Sequence, residues 1–311
     1  MSVVTEAGKP VVLVTAADLA PQALALLRHF EVIYTGKTPT EDDVVALCAR
    51  HNPVAIIVRY GAVGARAIAA APALRVISKH GSGTDTIDKA AAQARQVQVR
   101  AAVGANAAAV AEQALALLLA CAKSVPKLNA RMHGGLWDKA THKSLELGGR
   151  TIGLIGLGAI GLRFAKMVQA MDMRVIGFDP YAREFPPGVE QVDLDTLWRK
   201  SDAISFHCPL TDDNRNMLNR STLALCKPGV IVVNTARGGL IDEAALLDAL
   251  RSGQVASAGL DSFAVEPMTA GHPFQGEERL VLSPHIGGVT ADAYVKMGVA
   301  SVENLLAVLR S

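Results

Sequence analysis

Two hydrophobic rhythms alternate along the chain. Between residues 10 and 101, short apolar runs rich in valine and isoleucine recur as PVVLVT, EVIYT, VAIIVRY, LRVISKH and VQVRA. Among them lie PQALALLRHF, TEDDVVALCARH and GARAIAAAP, whose apolar positions fall three or four residues apart. A near-continuous apolar run suits a strand buried on both faces, and the wider spacing suits a helix with one buried stripe. Their alternation predicts a parallel sheet covered on both sides. Thr40 with Asp43 has the form of a helix-start cap.

Residues 105–123 predict one long helix, apolar nearly all round and therefore buried against something large. Residues 124–150 are polar, glycine-rich and poorly periodic, with Trp137 among them, and read as an arm or interface segment. From residue 150 the alternation resumes. RTIGLIGLG, RVIGFD, DAISFHC, GVIVVNTA, ASAGLDSF and RLVLSP are strand candidates. LRFAKMVQAM and DEAALLDALRSG are helical, Asp242 caps the latter, and ADAYVKMGVASVENLLAVLR predicts a closing helix. The expected fold class is α/β with two doubly wound parallel sheets.

Composition narrows the function classes. A chain of 311 residues suggests two domains at about 150 residues each. The formal net charge is +2 with no lysine or arginine run, which argues against nucleic acid or an anionic membrane as partner. Cys48, Cys121, Cys208 and Cys226 lie far apart with no C-x-x-C spacing, so buried reduced thiols are expected and a structural zinc site is not. The N-terminus lacks the features of a signal peptide. ALALLLACA, the most apolar stretch, is far short of the ~20 residues that span a bilayer. A soluble, cytoplasmic protein is expected.

GLIGLGAIG places Gly156, Gly158 and Gly161 as G-x-G-x-x-G between a strand and a helix. The first glycine allows a tight turn, the second lets a pyrophosphate approach the backbone, and the third lets the helix pack on the strand. The helix then offers free N–H groups to the phosphates. Asp179 ends the next strand, close to the ~20-residue offset at which a carboxylate accepts the hydroxyls of an adenosine ribose. Its charge would repel a 2′-phosphate, which favours NAD over NADP.

Ligands of an open parallel sheet bind outside the carboxyl ends of its strands. There the later strands present His207, Cys208 and Pro209; Thr235, Ala236 and Arg237; Asp261 and then Glu266; and His285, followed by Gly287. Arg237, Glu266 and His285 together supply what hydride transfer to a 2-keto acid needs. A guanidinium grips the carboxylate, an imidazole gives the carbonyl oxygen its proton, and a carboxylate orients and charges the imidazole. Whether Glu266 reaches His285 is a matter for the tertiary structure.

These motifs resemble, in order and over nearly the whole length, those of the D-isomer-specific 2-hydroxyacid dehydrogenases, most closely the phosphoglycerate dehydrogenase branch. The resemblance is carried by VRYGAVG, KHGSGTDTID, NAAAVAEQAL, ELGGRTIGLIGLGAIG, HCPLTDDNRNML, NTARGGLIDEAAL, GLDSFAVEP and SPHIGG. It implies Arg237 as the substrate arginine, Glu266 as the partner and His285 as the acid/base. Ala159, Ile160, Asp179, His207, Pro209, Thr235, Ala236, Asp261 and Gly287 would lie near the cofactor, with Asp261 by the nicotinamide amide. It implies a flavodoxin-like substrate domain from residues 1–103 and 287–311, a Rossmann-type NAD domain from 104–286, and a cleft between them that holds the active site. It also implies a homodimer formed through the cofactor domain. Gly81, Ser82 and Gly83 could turn backbone N–H groups towards the substrate carboxylate. Arg59 is the candidate for reading a second anionic group.

The chain departs from the family where Tyr60, Gly61 and Ala62 follow Arg59 in place of a frequent serine and threonine, and where Asn214 replaces a frequent threonine. The chemistry is unaffected, but the substrate of the named branch is put in question. The sequence ends at Ser311, before the regulatory domain of longer phosphoglycerate dehydrogenases, so control by such a domain is not expected. The expected function is NAD-dependent hydride transfer with a small 2-hydroxy acid, 3-phosphoglycerate being one candidate. Glyoxylate or hydroxypyruvate reduction is the alternative, and an NADH-sensing, corepressor-like interaction protein is the alternative outside enzymes.

Overall fold

Alternate residues of β1 (Val11–Val14) enter two different cores. Leu13 packs on one side with Val44, Cys48, Ile56 and Ile77, while Val12 and Val14 pack on the other with Ile57, Val302 and Leu305. The run is apolar throughout because both of its faces are covered, and each such side chain contributes about 1.5–3 kcal/mol on burial. A computed structural model describes residues 8–310 of this chain. Strands β1, β2 (Glu31–Tyr34), β3 (Ala55–Val58), β4 (Val76–Lys79) and β5 (Gln98–Ala101) form a parallel sheet ordered β2-β1-β3-β4-β5. That is the flavodoxin order. Helix Ala291–Leu309 covers one of its faces. Thr40 and Asp43 form the expected capping box on helix Glu41–His51.

The second sheet holds β6 (Thr151–Ile155), β7 (Arg174–Phe178), β8 (Val189–Gln191), β9 (Ala203–Phe206), β10 (Val230–Asn234), β11 (Val255–Leu260) and β12 (Leu280–Leu282). Its order is β12-β11-β10-β9-β6-β7-β8, parallel throughout. The strand order reverses between β6 and β9, as in a dinucleotide-binding sheet. Register aligns the strand ends: Phe178 pairs with Ile155, Ile155 with Phe206, Phe206 with Asn234, Asn234 with Leu260, and Leu260 with Leu282. Asp179, Gly156, His207, Thr235, Asp261 and Ser283 therefore leave the sheet side by side along one edge.

Contacts divide the chain into two units, one made of the chain up to Asn106 with Val289 onward, the other of Ala107–Gly288. Helix Ala107–Lys123 packs on β10, β11 and helix Ala159–Gln169, which accounts for its apolar composition. Among the described residues no single helix is long and apolar enough to cross a membrane.

Several short elements go beyond the sequence reading. Strand β8 and helix Lys89–Ala94 are too short to show a period. Helix Val125–His133 lies in the stretch read as aperiodic; its large apolar residues Val125, Leu128 and Met132 are only three, and none of its residues is buried. Arg131 holds its end by two bonds to Asp138, at 2.5 and 2.7 Å.

Candidate active site

The turn after β6 is built by close approach. Gly156 has φ +94°, and a Cβ there would lie 2.7 Å from the amide nitrogen of Cys208. A Cβ on Gly161 would meet the carbonyl of Gly156. Helix Ala159–Gln169 starts just beyond, with Gly158 at its N-cap, no side-chain cap and no acidic residue in the first turn. Gly158 and Ala159 are exposed and Ile160 is half-buried. The positive end of this helix is thus open to an anion. The Asp179 carboxylate accepts the Leu157 N–H at 2.8 Å and the Tyr181 N–H at 2.9 Å, which ties it to the glycine loop.

Two buried polar atoms on the same edge, Thr235 Oγ1 and His207 Nδ1, have no protein partner. The other ring nitrogen of His207 lies 3.0 Å from Ser205 Oγ, and the ring packs on Phe164. Burial pushes its pKa down to about 3, so the imidazole is neutral. An uncapped helix end, a tethered carboxylate and unpartnered polar atoms on one edge fit a dinucleotide. Pro209 is exposed beside them, and Ala236 is nearly buried.

Further along the edge, His285 Nδ1 lies 2.7 Å from Glu266 Oε2. The second Glu266 oxygen accepts the Phe263 N–H at 2.9 Å, which fixes the carboxylate. Gly238, after Arg237, permits this arrangement: a Cβ there would run into the Phe263–Ala264 backbone. The loops after β10 and β11 therefore touch, and the charge of Arg237 is felt by both Glu266 and His285. Asn234, fully buried, shapes the arginine turn by donating to the Arg237 carbonyl at 2.8 Å and accepting the Ala236 N–H at 2.9 Å. One guanidinium nitrogen of Arg237 donates to the Ala236 carbonyl at 2.7 Å.

The hydrogen bond that His285 donates to Glu266 raises the pKa of the imidazole against the opposing effect of burial. For Glu266, burial works upward, but the bonds from His285 and the Phe263 N–H outweigh it and hold the carboxyl below its usual range. Both shifts favour a charged pair. With Nδ1 engaged, Nε2 is the position from which the ring can exchange a proton. The His285 side chain is 47% exposed, so a substrate can reach it.

His285 adopts φ +53°, a left-handed conformation that costs a non-glycine residue roughly 1 kcal/mol or more. Asp261 holds it there. This carboxylate, 1% exposed, accepts the Ile286 N–H at 2.9 Å, the Gly287 N–H at 2.7 Å and the Ser283 hydroxyl at 2.6 Å. Gln113 donates to the same hydroxyl at 3.0 Å. Asp261, read from the resemblance as a neighbour of nicotinamide, thus also clamps the loop of the histidine. Ser283, Gln113, Asn234 and Gly238 were not singled out by the sequence reading, because each acts through a partner distant in the chain or a contact only folding creates.

The remaining candidates belong to the first unit. Gly81, with φ +138°, Ser82 and Gly83 follow β4, and the Ser82 hydroxyl donates to Asn106 Oδ1 at 3.3 Å. Arg59 follows β3 and is ion-paired with Asp18 at 2.6 Å. Its guanidinium is thus already engaged by a carboxylate. All four cysteines are free thiols, and three of them are buried. Among the described residues no cluster of histidine, cysteine and carboxylate side chains is disposed to hold a metal.

Residues 115–287 match the sequence profile described as D-isomer specific 2-hydroxyacid dehydrogenase, NAD binding domain. The chain belongs to that family. It is 40% identical over 289 residues to the hydroxypyruvate reductase of Thermotoga maritima, covering 92% of this chain and 94% of that one. It is 39% identical over 300 residues to the D-3-phosphoglycerate dehydrogenase of Mycobacterium tuberculosis, covering 95% of this chain but 56% of that relative. This dehydrogenase therefore spans little more than half the length of that relative. A crystal structure of a Thermus thermophilus protein matches with TM-score 0.87 and 36% identity, over 96% of this chain and 97% of that one. The protein is accordingly an NAD(P)-dependent 2-hydroxyacid dehydrogenase with the fold of its family.

Proposed function

We propose that this dehydrogenase reversibly converts a small 2-hydroxy acid to its 2-keto acid with NAD, using Arg237, Glu266 and His285 at the reacting centre. The observation that carries this reading is the 2.7 Å pair of His285 and Glu266 beside Arg237, on the edge that also bears the glycine loop. In the direction of reduction, Arg237 grips the substrate carboxylate through paired charge-assisted hydrogen bonds. That grip holds the neighbouring carbonyl in place, and positioning alone supplies several kcal/mol. His285 gives its proton to the carbonyl oxygen, and takes it back in oxidation. Glu266 keeps the imidazole oriented and favours its charged form. Nicotinamide, when bound, supplies or accepts the hydride.

Gly156, Gly158, Ala159, Ile160 and Gly161 would hold the pyrophosphate, and Asp179 the adenosine ribose. His207, Pro209, Thr235, Ala236, Asp261 and Gly287 would border the rest of the cofactor. The names of the relatives suggest two substrate pairs, 3-phosphoglycerate with its keto acid and glycerate with hydroxypyruvate. A homodimer is supported by the exposed apolar side chains Val125, Met132, Leu136 and Trp137, the last 75% exposed. An NADH-sensing interaction protein would have no use for a charged carboxylate–imidazole pair.

The test is loss of NADH absorbance with glyoxylate, hydroxypyruvate, phosphohydroxypyruvate, pyruvate and bulkier 2-keto acids. Turnover on at least one is expected. NADH binding with turnover on none would favour the sensor.

A further inference from the structure

One residue of the long helix Ala107–Lys123 touches the loop of His285 on both sides of the histidine. Before it, the Gln113 side-chain amide donates to the Ser283 hydroxyl at 3.0 Å. After it, the Gln113 stem lies against Gly287: a Cβ built on that glycine would be 3.5 Å from Gln113 Cγ and 3.6 Å from its Cβ. Gln113 is half-buried and uncharged. It belongs to the second unit, as do Asp261, Glu266 and the whole histidine loop.

The hydroxyl that receives this bond has a single proton, and Ser283 donates it to Asp261 Oδ1 at 2.6 Å. The same oxygen accepts the Ile286 N–H at 2.9 Å, and Oδ2 accepts the Gly287 N–H at 2.7 Å. Amide, hydroxyl, carboxylate and backbone thus form one chain of bonds that ends just past His285. A hydroxyl rotates freely about its C–O bond, but a donor held on its oxygen leaves the proton one direction. The Asp261 carboxylate, 1% exposed, needs each of its donors, because a charge so enclosed is costly unless it is hydrogen-bonded. His285 needs the result. Its φ of +53° is unfavourable for a residue with a side chain and persists only where the surroundings impose it.

We infer that Gln113 is a positioning residue for proton transfer: through Ser283 and Asp261 it fixes the backbone that aims the His285 imidazole. The inference rests on the acid/base reading of His285 above. The histidine is then held at two places, its ring nitrogen by Glu266 and its backbone by the chain that starts at Gln113. Removing the Gln113 donor leaves every ionisable group of the site in place but loosens the loop that carries the ring. A displacement of about 1 Å at a reacting group costs up to about 100-fold in rate, so the loss falls on kcat rather than on KM.

The test uses Gln113→Met, which keeps the length of the side chain and removes its donor, with Ser283→Ala and the double variant. Gln113→Glu, which keeps the shape but offers an acceptor, is the second probe of the same bond. With NADH and the preferred 2-keto acid, Gln113→Met and Gln113→Glu are each expected to lower kcat by about fivefold or more, with KM within about twofold. In the Ser283→Ala background, Gln113→Met should change kcat by less than about twofold, since the chain it feeds is already cut. An unchanged kcat in either single variant, or an equal loss with and without Ser283, would overturn the inference. Turnover on no 2-keto acid, or turnover undiminished in His285→Ala, would overturn the acid/base reading instead. Amide exchange followed by NMR then decides for the chain of bonds. Exchange at Ile286 and Gly287 about tenfold faster or more in Gln113→Met supports it, and equal rates overturn it.

Discussion

His285 Nδ1 and Glu266 Oε2 lie 2.7 Å apart on loops that leave the neighbouring parallel strands β12 and β11. The bond joins two residues that the chain separates by a loop and a strand. It raises the pKa of the imidazole and lowers that of the carboxyl, so the pair is most stable when both are charged. Because the folded pKa of His285 is raised, its contribution to stability is complete below the unfolded value near 6.5 and is lost as pH rises through the folded value.

In the proposed mechanism the proton for reduction comes from the His285 imidazolium, so the rate is expected to fall as pH rises through the raised pKa of His285. Glu266→Gln removes the charge that raises it. The descending limb of the kcat/KM profile should move to lower pH, and turnover at neutral pH should drop about tenfold or more. A profile recorded across the histidine range checks this, and a limb that stays in place would remove Glu266 from the role.

Replacing His285 by alanine deletes the proposed proton donor but leaves the glycine loop intact. The expected outcome is a fall in kcat of roughly 10²–10⁴-fold. The dissociation constant for NADH, measured by fluorescence, should stay within about twofold. Equal losses in both quantities would point to a cofactor contact instead.

Arg237→Ala should lower kcat/KM for the 2-keto acid by about 100-fold or more while NADH still binds. Arg237→Lys should recover only part of the loss, since an ammonium cannot make the paired grip. Steady-state kinetics on both variants separate charge from geometry, and unchanged kinetics would take Arg237 out of the site.

Asp179 bonds to the Leu157 N–H, so it both shapes the glycine loop and places a negative charge at its mouth. Asp179→Ala should relax the preference for NADH over NADPH by about tenfold, equivalent to roughly 1.4 kcal/mol. The ratio of kcat/KM values for the two cofactors is the readout. An unaltered ratio would argue against a ribose contact.

A methyl group at Gly238 would overlap the Phe263–Ala264 backbone, which cannot swing aside as a flexible side chain can. Gly238→Ala should destabilise the fold by about 2–4 kcal/mol and lower Tm by several degrees. Thermal denaturation tests this. A Tm equal to that of the unmodified protein would show that the two loops can separate without cost.

The periods of the hydrophobic pattern were enough to place nearly every long strand and helix, because burial on two faces of a parallel sheet leaves an unbroken apolar signature. They did not reveal helix Val125–His133, which buries nothing, or β8, which is three residues long. G-x-G-x-x-G and the carboxylate after it were legible for a similar reason, since a turn of that shape admits few other residues. What folding alone decided is which distant side chains meet. The register that lines up Asn234, Leu260 and Leu282 brings Glu266 to His285 and lets Asp261 clamp the histidine loop. It is likewise only in the folded chain that Asp18 and Tyr294 close on Arg59 and cancel a charge that the sequence presents as available. Local sequence carries the period of each element, but a hydrogen bond depends on ångström distances between elements, and those arise from packing.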